Sequence, residues 1–334
     1  MRRIVWLLLI AGILWSAWWG ITAFGIRTGI YTWFEERRTE GWQAELADVG
    51  LSGWPLNGTA DIAAPALADP GTGVAFSASA LTLSAATWWP GYITLSLPDD
   101  GIALAGPEGR TQLTTSAAIA GLRLHPGTAL ELERLQANAE NWGITGDAGD
   151  LLSGGPLTAS MIQDQNDPQA YAVNFDASAV RPGSVLRDAL FVPADWPVTF
   201  DALRLSGDVA FDRAWDITSV EDARPQPRRV RLERAEAIWG DLQIRFAADL
   251  TVDAEGVPEG PLSVQVRNWR DIIALAERAG TLPPALVPQV TRTLETFAGL
   301  SGNTDALDLD LTLSGGLISL GFIPLGPAPR LVLR

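Results

Sequence analysis

The chain has no cysteine and no lysine, and among 334 residues only one histidine, two methionines and three tyrosines. Without cysteine there are no disulfides, thiol nucleophiles, zinc–thiolate sites or iron–sulfur clusters. A chain of this length builds a core large enough to fold unstapled, so the absence is compatible with an exported protein. All 24 basic residues are arginine, and no arrangement of them marks a common ligand. Positive charge is scarce: 39 acidic residues leave a net charge of −15. Residues 1–34 carry +3, residues 35–150 carry −10 and residues 151–334 carry −8. An acidic body repels phosphate backbones, which argues against nucleic-acid partners.

These absences leave little catalytic chemistry. His125 precedes Pro126-Gly127 after the strand-like "GLRL" and reads as a turn residue rather than a general base. What remains is paired carboxylates or a metal site built only from oxygen. Asp308 and Asp310 share one face of a Leu-Asp-Leu-Asp strand, which is the pattern of a solvated face. "DAEG" at Asp253–Gly256 lacks the further acidic ligands of a calcium loop and reads as a hairpin turn. Asp208, Asp212 and Asp216 are spread along an alternating stretch. No phosphate-binding glycine loop, nucleophile elbow or dinucleotide fingerprint is present. The expectation is a protein that is not an enzyme, with no cofactor and no metal.

What the chain does have is hydrophobicity, at 47% against 19% charged residues, enough for a packed core. The opening "RRIVWLLLIAGILWSAWWGITAFGIR" carries no charge between Arg3 and Arg27. About 20 apolar residues span a bilayer, whereas the apolar core of a cleaved signal runs roughly 7–15. Ala23-Phe24-Gly25 is the only tolerable cleavage site, and it follows a run already long enough to span. Trp15, Trp18 and Trp19 form one aromatic face suited to the membrane–water interface. The basic N-terminal flank places the N-terminus in the cytoplasm and the remainder outside it.

The expected domains are therefore a signal anchor at 1–27, a juxtamembrane helix at 28–49 and a β-rich extracytoplasmic domain at 50–334, with a candidate subdivision near 181–230. In the last of these, short alternating runs are broken by Gly, Pro, Asn and Asp. Asn57-Gly58 reads as a tight hairpin turn, which also accounts for the Asn57-Gly58-Thr59 sequon. The clearest strand is "DLQIRFAADLTVD", with Leu242, Ile244, Phe246, Leu250 and Val252 on one face. Eleven residues at about 3.3 Å each give roughly 36 Å. Leu262, Val264 and Val266 continue the alternation, and Leu307, Leu309, Leu311 and Leu313 repeat it before a Gly315-Gly316 turn. Two helices lie between: "NWRDIIALAERAG", with Asn268 as N-cap and Gly280 as stop, and "PPALVPQVTRTLETFAGL", with Val290, Leu294, Phe297 and Leu300 on one stripe.

Three stretches, "GLSGWPLNGTADIAAPAL…WWPGYITLSLP", "AIWGDLQIRFAADLTVDAEGVPEGPLSVQVRN" and "GGLISLGFIPLGPAPRL", resemble an uncharacterised bacterial family, domain of unknown function 2125. The layout of anchor, long β-hairpins and late helical pair is similar to the AsmA-like envelope proteins. That likeness implies a curved antiparallel sheet forming an apolar groove, associated with lipid handling between membranes, and supplies no catalytic residues.

The expected fold is thus mainly β, with long antiparallel hairpins in a curved or groove-like sheet, a helical pair near the C-terminus and an N-terminal transmembrane helix. An apolar sheet face must be covered by a second sheet, by helices or by a ligand. A partly curled sheet would leave Leu242, Ile244, Phe246, Leu250, Val252, Leu262, Val264 and Val266 lining a trough for a lipid. A closed β-sandwich would instead make the protein a structural or assembly factor. The sequence leaves both open, and it indicates no protein partner.

Overall fold

The computed structural model describes residues 2–194, 196–221, 223–300 and 304–333. Its first element is one unbroken helix, Arg2–Thr39. The expected change to a second helix at residue 28, running to 49, is not found. The backbone has no reason to break where hydropathy falls, because Arg27 and Thr28 are acceptable helix residues. The helix stops where Gly41 turns left-handed (φ +92°). The Trp42 N–H then reaches the Arg37 carbonyl and the Gly41 N–H the Arg38 carbonyl, both at 3.0 Å, a Schellman closure. Residues expected to continue the helix form strands instead, Gln43–Glu45 and Asp48–Ser52.

The remaining chain is mainly β. The described strands form two antiparallel sheets, of eight and fifteen strands, and neither closes on itself. The open-sheet expectation holds and the closed sandwich does not. The chain divides into two compact units, residues 1–126 with 137–148, and residues 127–136 with 149–334. The division precedes the 181–230 region.

In the first unit long strands bend at corners, and each passes from one sheet into the other. Asn57–Ala63 belongs to the larger sheet and continues past Ala64 as Ala66–Asp69 in the smaller. Val74–Ala78 returns and continues as Ala80–Ala86. Adjacent corners lock together: the Ala64 N–H bonds the Ser79 carbonyl at 2.8 Å, and the Ala78 N–H bonds the Pro65 carbonyl at 3.1 Å. The same bend recurs between Gly109–Ser116 and Ile119–Leu124. Within this unit the strands of the two sheets are therefore halves of one folded ribbon meeting along a spine of corners. Two of these corners are alanines in the left-handed region, Ala64 (φ +45°) and Ala117 (φ +50°). Glycine populates that region without strain. Ala64→Gly and Ala117→Gly are expected to leave stability unchanged or raise it by up to about 1 kcal/mol, and valine at either place to lower it, read as shifts in the urea midpoint.

Asn57-Gly58 is not the expected turn. The turn occupies Gly53–Leu56, with the Asn57 N–H on the Gly53 carbonyl at 3.0 Å, and Asn57 opens the following strand. Gly53, at φ +93°, supplies the left-handed residue that the turn needs.

The second unit contains the long strands read from the sequence. Leu242–Val252 pairs with Pro227–Trp239 on one side and Pro258–Arg267 on the other, and the latter pairs with Ala306–Ser314. Gly315 and Gly316 turn left-handed before Leu317–Leu320, as their pairing suggested. Asp253 organises its hairpin turn by accepting from the Glu255 and Val257 N–H groups at 3.0 and 2.7 Å. Trp269–Arg278 and Val287–Leu300 are the two late helices, and Gly280 stops the first (φ +71°). Asn268 does not cap through its side chain. It is itself left-handed, and its amide donates to the Asp241 carbonyl at 2.7 Å. The Leu300 side chain, assigned to the apolar stripe of the second helix, lies outside the described residues.

Candidate functional site

In the first unit the second half of the long helix lies on the larger sheet. Its approach depends on a row of small residues: Gly58 and Ala60 on one strand, Ala85 on its neighbour, and Ala23 on the helix, with Ala23, Ala60 and Ala85 all buried. A Cβ at Gly58 would stand 3.0 Å from the Ile26 Cδ1 and 3.7 Å from the Ala23 Cα, so glycine sets the helix-to-sheet distance. Beyond this contact the helix and the two sheet halves separate and enclose an open cavity of about 480 Å³. Ile26, Ile30 and Trp33 line it from the helix, Ile62, Leu81 and Leu83 from the larger sheet, and Leu67 and Phe76 from the smaller. The Trp33 indole carries the only side-chain nitrogen or oxygen among the lining residues. Such a wall rejects polar ligands, because each would lose its bonds to water without replacement. Its size falls within the usual range of ligand sites, about 300–1,000 Å³. Sequence reasoning missed this site. Its signals were the Ile26–Ile30–Phe34 spacing and the alternation of Leu81 and Leu83, neither of which reveals which surfaces face each other.

Lower on the helix, the aromatic face makes specific bonds. Trp15 Nε1 donates to the Pro55 carbonyl at 2.9 Å, Trp18 Nε1 to the Thr87 carbonyl at 3.1 Å, and Trp19 Nε1 to the Asn57 carbonyl at 2.6 Å.

In the second unit, register aligns the apolar residues into rows. One runs Ala159–Phe175–Leu205–Ala235–Phe246–Val264–Leu309 across seven strands. The helical pair covers one end of this face. Leu242, Val266 and Leu307 are buried there with Trp269 and Ala298, and Ile244, Val264, Leu294 and Phe297 pack around them. At the other end Leu250 and Val252 are also buried. Leu250 shares a row with Val230, Val209 and the fully buried Tyr171, whose ring meets Phe211 edge-on at 5.8 Å. Between these ends the face is uncovered: Phe246 and Leu205 are each 37% exposed, and Leu262 is half-buried. Of the eight residues expected to line a trough, Phe246 and Leu262 lie in the uncovered part of this apolar face, while the others lie under or beside the covered ends.

The opposite face is polar. Asp176, Arg204, Glu236, Arg245, Gln265 and Asp308 form one cross-strand row. Glu236, nearly inaccessible to water, accepts from Arg245 Nε at 2.6 Å, Gln243 Nε2 at 2.7 Å and Arg204 Nη1 at 3.5 Å. The Arg245 hydrogen bond holds its carboxyl below the ordinary glutamate range, outweighing burial, which pushes it up. The folded-state value is depressed, so this stabilisation is present above the ordinary glutamate value and fades as pH falls through the lower folded one. Glu236→Gln is expected to cost about 1–3 kcal/mol at neutral pH and to flatten the acid limb of stability, checked by urea titrations across pH.

His125 directly follows the strand Ile119–Leu124. Asp310 accepts from the Ser263 hydroxyl at 3.0 Å on the polar face. Asp208, Asp212 and Asp216 are separated: Asp208 pairs in register with Arg231, Asp212 accepts from the Gln226 N–H at 2.9 Å, and Asp216 bonds Thr218. Among the described residues no three His, Asp or Glu side chains converge as metal ligands would.

No curated protein matches the chain. A family model described as "uncharacterized protein conserved in bacteria" matches residues 19–329, from the aromatic face of the first helix to the last strand. The match covers most of the chain, so the chain belongs to this family, DUF2125.

Proposed function

We propose that this is a non-enzymatic protein of the bacterial envelope that is held in the inner membrane by its first helix, N-terminus in the cytoplasm and body in the periplasm, and that binds lipid acyl chains on its apolar surfaces. The observation that carries this reading is the cavity beside the helix. It is of ligand size, and its walls offer a guest only dispersion contact and shelter from water. The uncovered middle of the apolar face in the second unit supports the same ligand class, since an open apolar sheet face is stable only when something covers it.

The helix contains a window apolar enough to cross a bilayer, with none of that window buried against the body. Arg2 and Arg3 on its N-terminal side support the proposed orientation. The family match does not bear on the AsmA-like group, so the lipid reading rests on the surfaces themselves.

Native mass spectrometry of the full-length protein extracted in mild detergent should show co-purifying phospholipid, and a periplasm-active reporter fused after the C-terminus should be active. A lipid-free protein with an active reporter would leave a membrane-anchored assembly factor. An inactive reporter would overturn the orientation.

A further inference from the structure

At the helix end of the bent ribbon, two neighbouring strand connections end in large apolar side chains. Trp54 (61% exposed) and Leu56 (59%) stand on the turn between Asp48–Ser52 and Asn57–Ala63, and Trp88 (62%) on the turn between Ala80–Ala86 and Trp89–Ser96. No charged residue occurs from Val49 to Ala60 or from Pro70 to Pro98. The connections at the opposite end of the same ribbon are acidic: Asp69 opens one, Glu108 sits in the next and Asp147 in a third. These two connections are therefore greasy where the three at the opposite end are charged, and the next connection at their own end begins with His125.

The greasy pair is fixed in depth along the helix by the three indole bonds, all to backbone carbonyls of these connections, at Pro55, Asn57 and Thr87. Twelve residues separate Arg3 from Trp15, about 18 Å of helix, and sixteen separate it from Trp19, about 24 Å. The hydrocarbon of a bilayer is about 30 Å thick. With Arg2 and Arg3 at the near boundary, the connections lie roughly 6–12 Å short of the far one, and tilt of the helix places them deeper. Indole N–H groups at that depth have no water to bond, and here each has a carbonyl acceptor.

We propose that the turns Gly53–Leu56 and Thr87–Trp88 are a lipid-facing wedge, immersed in the outer leaflet beside the helix, with Trp54, Leu56 and Trp88 in contact with acyl chains. The inference rests on the reading that the first helix spans the membrane. It assigns the body a direct seat in the leaflet, with the apolar cavity five residues up the strand from Asn57 to Ile62, about 17 Å away. Acyl chains at the wedge thus have a short path along the helix into the cavity.

The cysteine-free chain allows a direct test. Single variants Leu56→Cys, Trp88→Cys, Glu108→Cys and Leu9→Cys of the full chain are labelled with an environment-sensitive nitrobenzoxadiazole. Each is reconstituted in phosphatidylethanolamine–phosphatidylglycerol vesicles. The four side chains are exposed, and the wedge bonds run through backbone carbonyls, so the fold should be kept. The labels at 56 and 88 should be quenched several-fold more by nitroxide-bearing acyl chains than by aqueous iodide, as the label at 9 is, with the reverse at 108. Iodide quenching at 56 and 88 with lipid quenching at 9 would overturn the wedge alone. Iodide quenching at 9 as well would overturn the spanning helix and the wedge with it. Protection of 56 and 88 from both quenchers would mean that a second copy of the chain covers them, and would also overturn the proposal.

Discussion

Phe246→Asp should yield a folded protein that has lost its lipid. Phe246 lies just outside the part of the apolar face covered by the helical pair, between Ala235 and Val264 in its row, and is 37% exposed. A carboxylate there keeps part of its hydration, so the expected cost is only about 1–2 kcal/mol. It would also place a charge where acyl chains would lie, and co-purifying phospholipid should fall several-fold in native mass spectra. The matched control is Leu242→Asp, two pleat repeats away on the same face but buried in the cluster around Trp269. There an unpaired carboxylate has no water, and the variant should fail to accumulate. A folded Phe246→Asp protein with unchanged lipid would remove this face from the lipid site. An unfolded one would mean that the middle of the face is covered after all.

Trp269→Ala should give a folded protein with a large, measurable loss of stability. Among the described residues this indole is the biggest fully buried side chain, held between the helical pair and Leu242, Val266 and Leu307. Removing a buried tryptophan costs about 3–5 kcal/mol, mostly as lost contact and residual cavity. The indole also donates to the Thr304 carbonyl at 3.2 Å, but Arg270 Nη1 reaches the same carbonyl at 3.0 Å, so no acceptor is orphaned. The melting temperature of the second unit should drop by roughly 10 °C. Hydrogen exchange should rise first in the two helices, because they attach to the sheet through this cluster. A melt that moves by only a degree or two would show that the helices hold by other contacts.

Sequence pattern made the long strands visible because their information is local. In Leu242–Val252 every second side chain is apolar, and the pleat alone turns that into a face. The helical pair and its Gly280 stop were legible for the same reason. Asn57-Gly58 misled, since a dipeptide that suits a turn is also what a strand needs where a helix must approach within 3–4 Å. The corner at Ala117 carries no Gly or Pro, and Pro65 after Ala64 reads as a plain break between strands, so nothing announced that one strand would serve two sheets. The apolar cavity combines residues 26–34 with residues 62–83, and the tryptophan bonds join positions 38 to 69 residues apart. Contacts of that range follow from which surfaces meet, and hydropathy pattern does not encode the meeting. The open face was legible in part: the sequence named its apolar rows but could not say that the helices stop short of Phe246.

The unbroken first helix also limits how far the protein can act. A body joined to its anchor by a flexible segment swings and samples a wide volume, as a tethered carrier must. Here the helix passes from the proposed span onto the sheet without a joint, and Ala23 and Phe34 are already buried in the body. Tilt of the helix in the membrane would therefore be tilt of the first unit, and the cavity beside the helix would keep a fixed height and bearing over the bilayer. On the proposed lipid-binding reading, that unit would be a stationary fixture: whatever exchanged lipid with its cavity would have to come to the same spot on the membrane and meet it at that angle.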